Sequence, residues 1–437
     1  MQQKKPSFTS IISVAALGGI LSSYHFGVIS GVLLFLQREF TLSIAAKQQI
    51  VSFLVLGATI GALSGGVISD RFGRKRTLFL SALVLVIGAL MLMVADNLNT
   101  LLWGRLVTGY GVGLSSLIIP LYLAEVSSAK RRGAAVSIYQ LAVTIGIFFS
   151  YLVNYLLSHT QSWRIAFAIA VGMGILQIIF LFCIPESPFW LLLHGERSQA
   201  KRLFQTFRKE ENIETLIRKV ETENKETQSV RLVHLFRRSI FLPVIIGILL
   251  SLFQQITGIN TVIYYAPTIF QMTGLNNLSA SLLATLGVGT VNLIATIFAL
   301  KFIDKTGRRK LLLIGLTGML VFLIILSLST QYALLATISI MSYVVFFAIS
   351  LGPVVWVMIS EIYPLRYRGK AMSVATFVNW LANYGISATF LSMIATFGIS
   401  WVFLIFAFMC FLGYIFVWKL VPETKGKTLT EIQKFWR

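Results

Sequence analysis

Long apolar runs dominate this chain, and short polar segments interrupt them at regular intervals. A helix that spans a bilayer needs about 20 mostly apolar residues, and runs of this length fall into two groups of six. The first group covers residues 8–36, 48–69, 77–95, 100–124, 134–157 and 164–184. The second group covers residues 240–266, 279–303, 311–330, 334–359, 371–396 and 399–421. The pattern predicts an all-α polytopic membrane protein with twelve transmembrane helices.

A polar segment separates the two groups of runs and sets the expected domains. It is rich in Lys, Arg, Glu and Gln at helical spacing, which is typical of short amphipathic helices in water beside the membrane. The expected divisions are an N-terminal six-helix bundle at 1–184, a cytoplasmic helical linker at 185–239, a C-terminal six-helix bundle at 240–421, and a cytoplasmic tail helix at 422–437.

Composition supports a membrane protein. Of the 437 residues, 56% are hydrophobic and only 12% are charged, against about 25% charged in an average soluble domain. The first run follows Lys4 and Lys5 like a signal peptide, but it far exceeds a signal's apolar region of about 7–15 residues. We therefore expect a retained helix. Cys183 and Cys410 both lie in apolar runs, so no disulfide framework is expected.

The net charge of +21 gives an orientation, because basic residues concentrate in alternate loops. Cytoplasmic loops of membrane proteins carry an excess of Lys and Arg, so we expect both termini to be cytoplasmic in an inner or plasma membrane. A nucleic-acid partner is not expected. The basic clusters lie at Arg71–Arg76, Lys130–Arg132, 197–238, Lys305–Lys310 and Arg366–Lys370.

The two halves of the chain are repeats. "DRFGRKR" at Asp70, "EVSSAKRRG" at Glu125 and "PES" at Pro185 return in the same order as "DKTGRRK", "EIYPLRYRG" and "PET", 234 to 237 residues later. Each half has an even number of predicted spans, so both have the same orientation. Parallel repeats of this kind occur in transporters whose substrate site lies near the membrane midplane.

The motifs resemble the signatures of the sugar porters of the major facilitator superfamily over essentially the whole chain. The six motifs, in their expected order, are "GGVISDRFGRKR", "AEVSSAKRRGA", "PESPFWLL", "QQITGINTVIYYAP", "SEIYPLRYRGKAMS" and "PETKGKTLTEI". The resemblance implies the major facilitator fold, a monomer without a cofactor, and transport by alternating access around a central site between the two bundles.

Three amides in one apolar run are candidates for the substrate site. Gln254, Gln255 and Asn260 can line one side of a helix that Gly258 weakens. Unpaired amides are costly in hydrocarbon, and interhelical hydrogen bonding alone would also explain them. We favour a ligand site, since carboxamides both donate and accept hydrogen bonds, as sugar hydroxyls require.

The resemblance adds further residues to the substrate site. Tryptophan suits it because a sugar's C–H face packs on indole, although simple packing would explain these tryptophans as well. The added residues are Gln140, Asn292, Trp356, Asn379 and Trp380, and Tyr264, which follows Gly258 in the same run as the amides, is a further candidate.

Recurring charged residues at the cytoplasmic ends of the predicted spans suggest a latch. Acid and guanidinium groups there can form charge-assisted hydrogen bonds that hold helices together in one state, and solvated loop charges are the alternative. The latch residues are Asp70, Arg74, Glu125 and Arg132 in the first repeat and Asp304, Arg308, Glu361 and Arg368 in the second.

His25 is an ionisable group at membrane depth, which is by default a functional hypothesis. Proton-coupled sugar porters usually have an aspartate at this position near an arginine, which Arg105 matches here by resemblance. A neighbouring guanidinium and a dehydrated setting both disfavour imidazolium. His25 and Arg105 are therefore coupling candidates, with two roles open for His25: a hydrogen-bonded neutral residue, or a pH-modulating one.

The function expected is monosaccharide transport, with facilitated diffusion slightly favoured over proton symport. The partners are a small sugar and the lipid bilayer, with protons added under symport; glucose, galactose and xylose stay open because they present nearly the same hydroxyls. A transporter-like sugar receptor is a remote alternative, since only about sixteen residues follow the last span. The scattered histidines show no metal-ligand spacing, so we expect neither an enzyme nor a metal site. "GYGVG" at 109–113 indicates close helix packing.

Overall fold

The computed structural model describes residues 8–128, 132–208, 212–215, 217–218, 235, 238–427 and 431. Within these ranges the chain is helical and contains no strand. This agrees with the prediction of an all-α protein.

The helices of the first half follow the predicted runs closely. Two short amphipathic helices, α7 and α8, come after them in the polar linker. These helices are α1 (Phe8–Leu36), α2 (Ile44–Phe72), α3 (Arg74–Met93), α4 (Leu98–Val126), α5 (Arg132–Leu156), α6 (Trp163–Leu181), α7 (Pro188–Leu193) and α8 (Arg197–Phe207).

The second half repeats this order, but two of its predicted runs are each divided into two helices. The helices are α9 (Arg238–Ile256), α10 (Ile259–Met272), α11 (Leu278–Thr306), α12 (Arg308–Leu328), α13 (Ala333–Ala348), α14 (Leu351–Ile362), α15 (Leu365–Phe397) and α16 (Ile399–Leu420).

Length and apolarity qualify eleven helical segments of the described chain as membrane spans. The remaining predicted span, 371–396, lies inside the 33-residue helix α15, whose middle contains Asn379 and Asn383. Large apolar side chains such as Val67 and Phe182 are 73% and 69% exposed. An outer surface of this kind suits contact with lipid rather than with water.

The chain forms two compact units. The first contains Met1–His25, Phe53–Ile147 and Arg164–Ser229, and the second contains Phe26–Ser52, Phe148–Trp163 and Val230–Arg437. The second unit therefore includes short stretches of α1, α2 and α5 together with the whole second repeat. The four-part domain division expected from the sequence stays a prediction.

Small residues allow α2 and α4 to pack closely within the first unit. A Cβ atom at Gly109 would collide with the carbonyl of Leu54, and one at Gly113 would collide with the carbonyl of Ala58. Gly57 meets the carbonyl of Leu106 in the same way from α2. Backbone contact of this kind needs glycine, so the packing interpretation of "GYGVG" is confirmed.

Candidate functional site

The segment that carries the three predicted amides is broken at Gly258. α9 ends at Ile256 and α10 begins at Ile259, and Gly258 between them has a φ of 92°, which glycine adopts at little cost. A Cβ atom there would also collide with the ring of Phe406. The hydroxyl of Tyr343 donates to the carbonyl of Thr257 over 2.9 Å and satisfies a carbonyl that the break frees. The weak point expected at Gly258 is confirmed.

Four amides form a continuous chain of hydrogen bonds around this break. Asn260 Nδ2 donates to Gln255 Oε1 over 2.6 Å, and Gln255 Nε2 donates to Asn379 Oδ1 over 3.1 Å. Asn379 Nδ2 in turn donates to Gln254 Oε1 over 2.7 Å. Only Asn260 is half-buried, and the other three are buried. Each amide both donates and accepts hydrogen bonds. The four amides can therefore exchange their bonds to one another for bonds to a hydroxylated ligand.

The amide chain ends at a second helix break, which the pattern of residues does not predict. Gln254 Nε2 donates to the carbonyl of Leu351 over 2.8 Å, at the start of α14. The span predicted at 334–359 is present as Ala333–Ile362, but it is interrupted, because α13 ends at Ala348 and α14 begins only at Leu351. Pro353 has no N–H to donate to the carbonyl of Ile349, which favours an interruption here.

Aromatic rings stack beside the amides. The ring of Phe26 lies between those of Tyr264 and Trp380, at centroid distances of 5.9 and 5.8 Å and interplanar angles of 20° and 22°. Tyr264 lies one turn beyond Asn260 on α10, and Trp380 follows Asn379 on α15. The three rings, called here the aromatic stack, therefore provide an apolar surface next to polar groups.

Two residues beside the amide chain, Asn383 and Phe26, are not among those predicted from the sequence. Asn383 Nδ2 donates to the hydroxyl of Tyr264 over 3.2 Å, and its spacing of four residues from Asn379 was a usable signal, because such pairs share a helix face. Phe26 is the one residue of 21–30 that is not fully buried. No pattern in the sequence distinguishes this aromatic residue from its apolar neighbours.

The other predicted substrate residues are half-buried on their helices: Asn292 on α11, Trp356 on α14 and Gln140 on α5. Asn292 and Trp356 belong to the second unit, and Gln140 belongs to the first. The described hydrogen bonds do not join these three side chains to the amide chain. Their role in substrate binding stays a prediction.

Comparison with known proteins decides the family. The sequence model described as "Sugar (and other) transporter" matches residues 11–436. The chain belongs to this family. It is 37% identical over 433 residues to the glucose transporter GlcP of Staphylococcus epidermidis, which covers 97% of this chain and 96% of the relative. It is also 37% identical over 447 residues to a D-xylose transporter of Levilactobacillus brevis, with 98% and 96% covered.

A solved structure agrees with the family assignment. The xylose transporter XylE of Escherichia coli, in an inward-open conformation, matches with a TM-score of 0.85 and 33% identity over 99% of this chain and 100% of that one. The predicted twelve-helix major facilitator fold is confirmed. The chain is thus a multi-pass plasma-membrane sugar transporter and not an enzyme.

His25 is fully buried in α1, next to the arginine expected from the family resemblance. Arg105 Nη1 donates to the backbone carbonyl of His25 over 3.1 Å. Neither ring nitrogen of His25 has a hydrogen-bond partner among the residues that the structure describes. The contact between the two residues therefore uses the main chain at position 25, and it does not require an ionised side chain there.

A polar network joins the end of α2, the start of α3, the end of α4 and the start of α7 in the first unit. Arg74 donates through Nε and Nη2 to both carboxylate oxygens of Glu125, over 2.9 to 3.2 Å, and through Nη1 to Asp70 over 3.0 Å. The Ser187 hydroxyl donates to Glu125. Glu186 accepts from the backbone N–H groups of Arg74 and Lys75 at 2.8 and 3.0 Å, and thus caps α3 with a negative charge.

The second repeat builds the same network. Arg308 Nη2 donates to Glu361 Oε1 over 3.1 Å, and the Thr424 hydroxyl donates to Glu361 Oε2 over 2.6 Å. Glu423 accepts from the backbone N–H groups of Arg308 and Arg309 at 2.9 and 3.1 Å. The recurrence explains why the motifs containing "PES" and "PET" return with the others. Each motif supplies a helix-capping carboxylate followed by a hydroxyl donor.

Five of the eight predicted latch residues, Asp70, Arg74, Glu125, Arg308 and Glu361, form the ion pairs described above. Arg368 Nη2 donates to the carbonyl of Tyr363 over 3.5 Å. The side chains of Arg132 and Asp304 lie outside the described part of the chain. The state-dependent role of the latch stays a prediction.

Proposed function

We propose that this protein carries a monosaccharide across the plasma membrane by facilitated diffusion, through alternating access at the amide chain and the aromatic stack. The observation that carries the proposal is the four-amide chain at a broken helix, which offers buried donors and acceptors beside apolar rings. Relatives named as glucose and xylose transporters support a hexose or pentose as the substrate. The expected substrate residues Gln140, Asn292 and Trp356 complete the proposed site.

The side chain at position 25 favours facilitated diffusion over proton symport. In the proton-coupled logic of the family, protonation of an aspartate would break its pair with the arginine. Here Arg105 holds a backbone carbonyl, and a hydrogen bond to the main chain does not respond to protonation of the side chain. Symport is the second candidate, because a galactose-proton symporter of Escherichia coli is 34% identical over 444 residues.

We further infer that both termini are cytoplasmic and that contacts within the second unit close the site from outside. Gln48 accepts from the Ser392 hydroxyl over 2.7 Å, and the Tyr151 hydroxyl donates to the carbonyl of Ile263 over 2.8 Å. Ser392 lies near the uncharged loop at 397–400, which the positive-inside rule places outside the cell. Outward opening would have to break these contacts and the aromatic stack.

Uptake of labelled sugars into proteoliposomes that contain only this protein tests the function. We expect equilibration of a hexose or pentose without accumulation, even under an inward proton gradient, and a His25→Asn variant that retains most of the flux. Uphill accumulation that a protonophore abolishes and His25→Asn lacks would assign proton coupling to His25. Binding of sugar without flux would instead favour a receptor.

A further inference from the structure

A cavity of about 430 Å³ lies in the first unit where α3 begins, beside α7 and α8. Its lining shares no residue with the amide chain, and sugar transport does not explain it. Its lining combines two cations, one acid, two aromatic rings and an amide: Lys75, Arg76, Glu186, Phe79, Trp190 and Gln199.

The two cations in this cavity are available to an anion. Neither Lys75 nor Arg76 forms an ion pair with any residue that the structure describes. The one carboxylate in the lining, Glu186, is already engaged by the backbone N–H groups of Arg74, Lys75 and Ser187 at 2.8 to 3.0 Å. Glu186 still attracts Lys75 electrostatically, but with two cations against one carboxylate the lining carries a net positive charge.

The lining passes from these cations directly to an apolar surface. Phe79 lies one turn beyond Lys75 on the same face of α3 and contacts the ring of Phe182 edge to face at 5.2 Å. Phe182 is 69% exposed, and Leu80 and Leu83 on α3 are 37% and 43% exposed. A soluble anion would need only the cations, whereas an amphiphile with an anionic head would use both parts.

We propose that this cavity binds an acidic phospholipid, with its phosphate at Lys75 and Arg76 and an acyl chain along Phe79 and Phe182. Basic residues near the headgroups attract anionic lipids, and an indole such as that of Trp190 suits the membrane interface. Trp190 Nε1 also donates to the carbonyl of Asp70 over 2.8 Å. A bound lipid therefore lies against the ion-pair network of Arg74 and stabilises it.

Lipid retention by the full chain tests the proposal without relying on transport. The protein is reconstituted in phosphatidylcholine with or without phosphatidylglycerol, and bound lipid is counted by native mass spectrometry. At about fivefold for each basic residue near the surface, Lys75→Gln/Arg76→Gln should weaken phosphatidylglycerol retention roughly 30-fold. Lys301→Gln/Lys310→Gln removes two exposed cations elsewhere and should change it little.

The outcomes separate the alternatives. Unchanged retention in Lys75→Gln/Arg76→Gln, or an equal loss in the control variant, would overturn a specific lipid site. Displacement of the lipid by millimolar inorganic phosphate would overturn the lipid assignment in favour of a soluble anion. Phe182→Ser should weaken the retention of lipid but not the binding of inorganic phosphate, because only a lipid has an acyl chain that contacts Phe182. Equal thermal unfolding midpoints of the variants and the wild type in phosphatidylcholine would show that their folds are intact.

Discussion

The two recurring ion pairs provide a matched comparison inside one protein. Glu125→Gln and Glu361→Gln each remove one negative charge while they preserve the size of the side chain and one acceptor oxygen. The partners, Arg74 and Arg308, remain in equivalent positions at the starts of α3 and α12. Any difference between the two variants therefore reports how each pair is buried and bonded.

The structure predicts a larger effect in the first repeat. The side chains of Arg74 and Glu125 are 8% and 12% exposed, and three hydrogen bonds join them. The side chains of Arg308 and Glu361 are 12% and 29% exposed, and one described bond joins them. Removing one partner of a buried pair costs about 3–5 kcal/mol and an exposed pair contributes about 0–1 kcal/mol, so the half-buried second pair should lose less than the buried first pair.

The cost for the first pair must be reduced, because Arg74 keeps its hydrogen bonds to Asp70 and to the carbonyl of Ser69. We therefore expect the unfolding free energy to fall by about 2–3 kcal/mol in Glu125→Gln and by about 1 kcal/mol in Glu361→Gln. Chemical unfolding in mixed micelles, followed by tryptophan fluorescence, measures both losses. Equal losses, or a larger loss in Glu361→Gln, would refute the reasoning from burial.

Three further predictions concern the site and the topology. Gln254→Ala or Asn260→Ala should weaken sugar binding about 5- to 150-fold, because the loss of one buried hydrogen-bond partner costs about 1–3 kcal/mol. Isothermal titration of the purified protein measures this affinity. Unchanged affinity in both variants would remove the two residues from the site. Phe26→Ala removes the middle ring of the aromatic stack. Labelling reagents that cannot cross the membrane should therefore reach the site from outside more readily. A cysteine at Asn276 should be labelled from outside and one at Ser198 should not, and the reverse result would invert the orientation.

Features set by local chemistry could be predicted from the sequence. Apolar runs located the spans because a bilayer accepts few other segments. The break at Gly258 followed from a residue that weakens helices. The pairing of Arg74 with Glu125 followed from charges that recur at equivalent helix ends. In each case the residue type and its spacing limited the structure.

Features that depend on the packing of distant segments could not be predicted. Phe26 stacks between rings more than two hundred residues away, and a single apolar letter does not reveal such a partner. The contact of Arg105 with the carbonyl of His25 involves the main chain, and residue types do not reveal which main-chain carbonyl a side chain will reach. The break before α14 depends on Pro353, a single residue in a run that is otherwise apolar.

The repeats agree at the ends of their helices and differ in the middle, and this difference supports the proposed roles. Glu125 and Glu361 are 236 residues apart. At the same offset, Gln254 corresponds to Gly18 and Asn379 corresponds to Val143. The same backbone frame therefore holds amides in the second half and small or apolar residues in the first. Helix capping and ion pairing are needed in both halves, so their residues recur. An asymmetric sugar does not need the same donors twice, so the amides proposed to bind it need not recur.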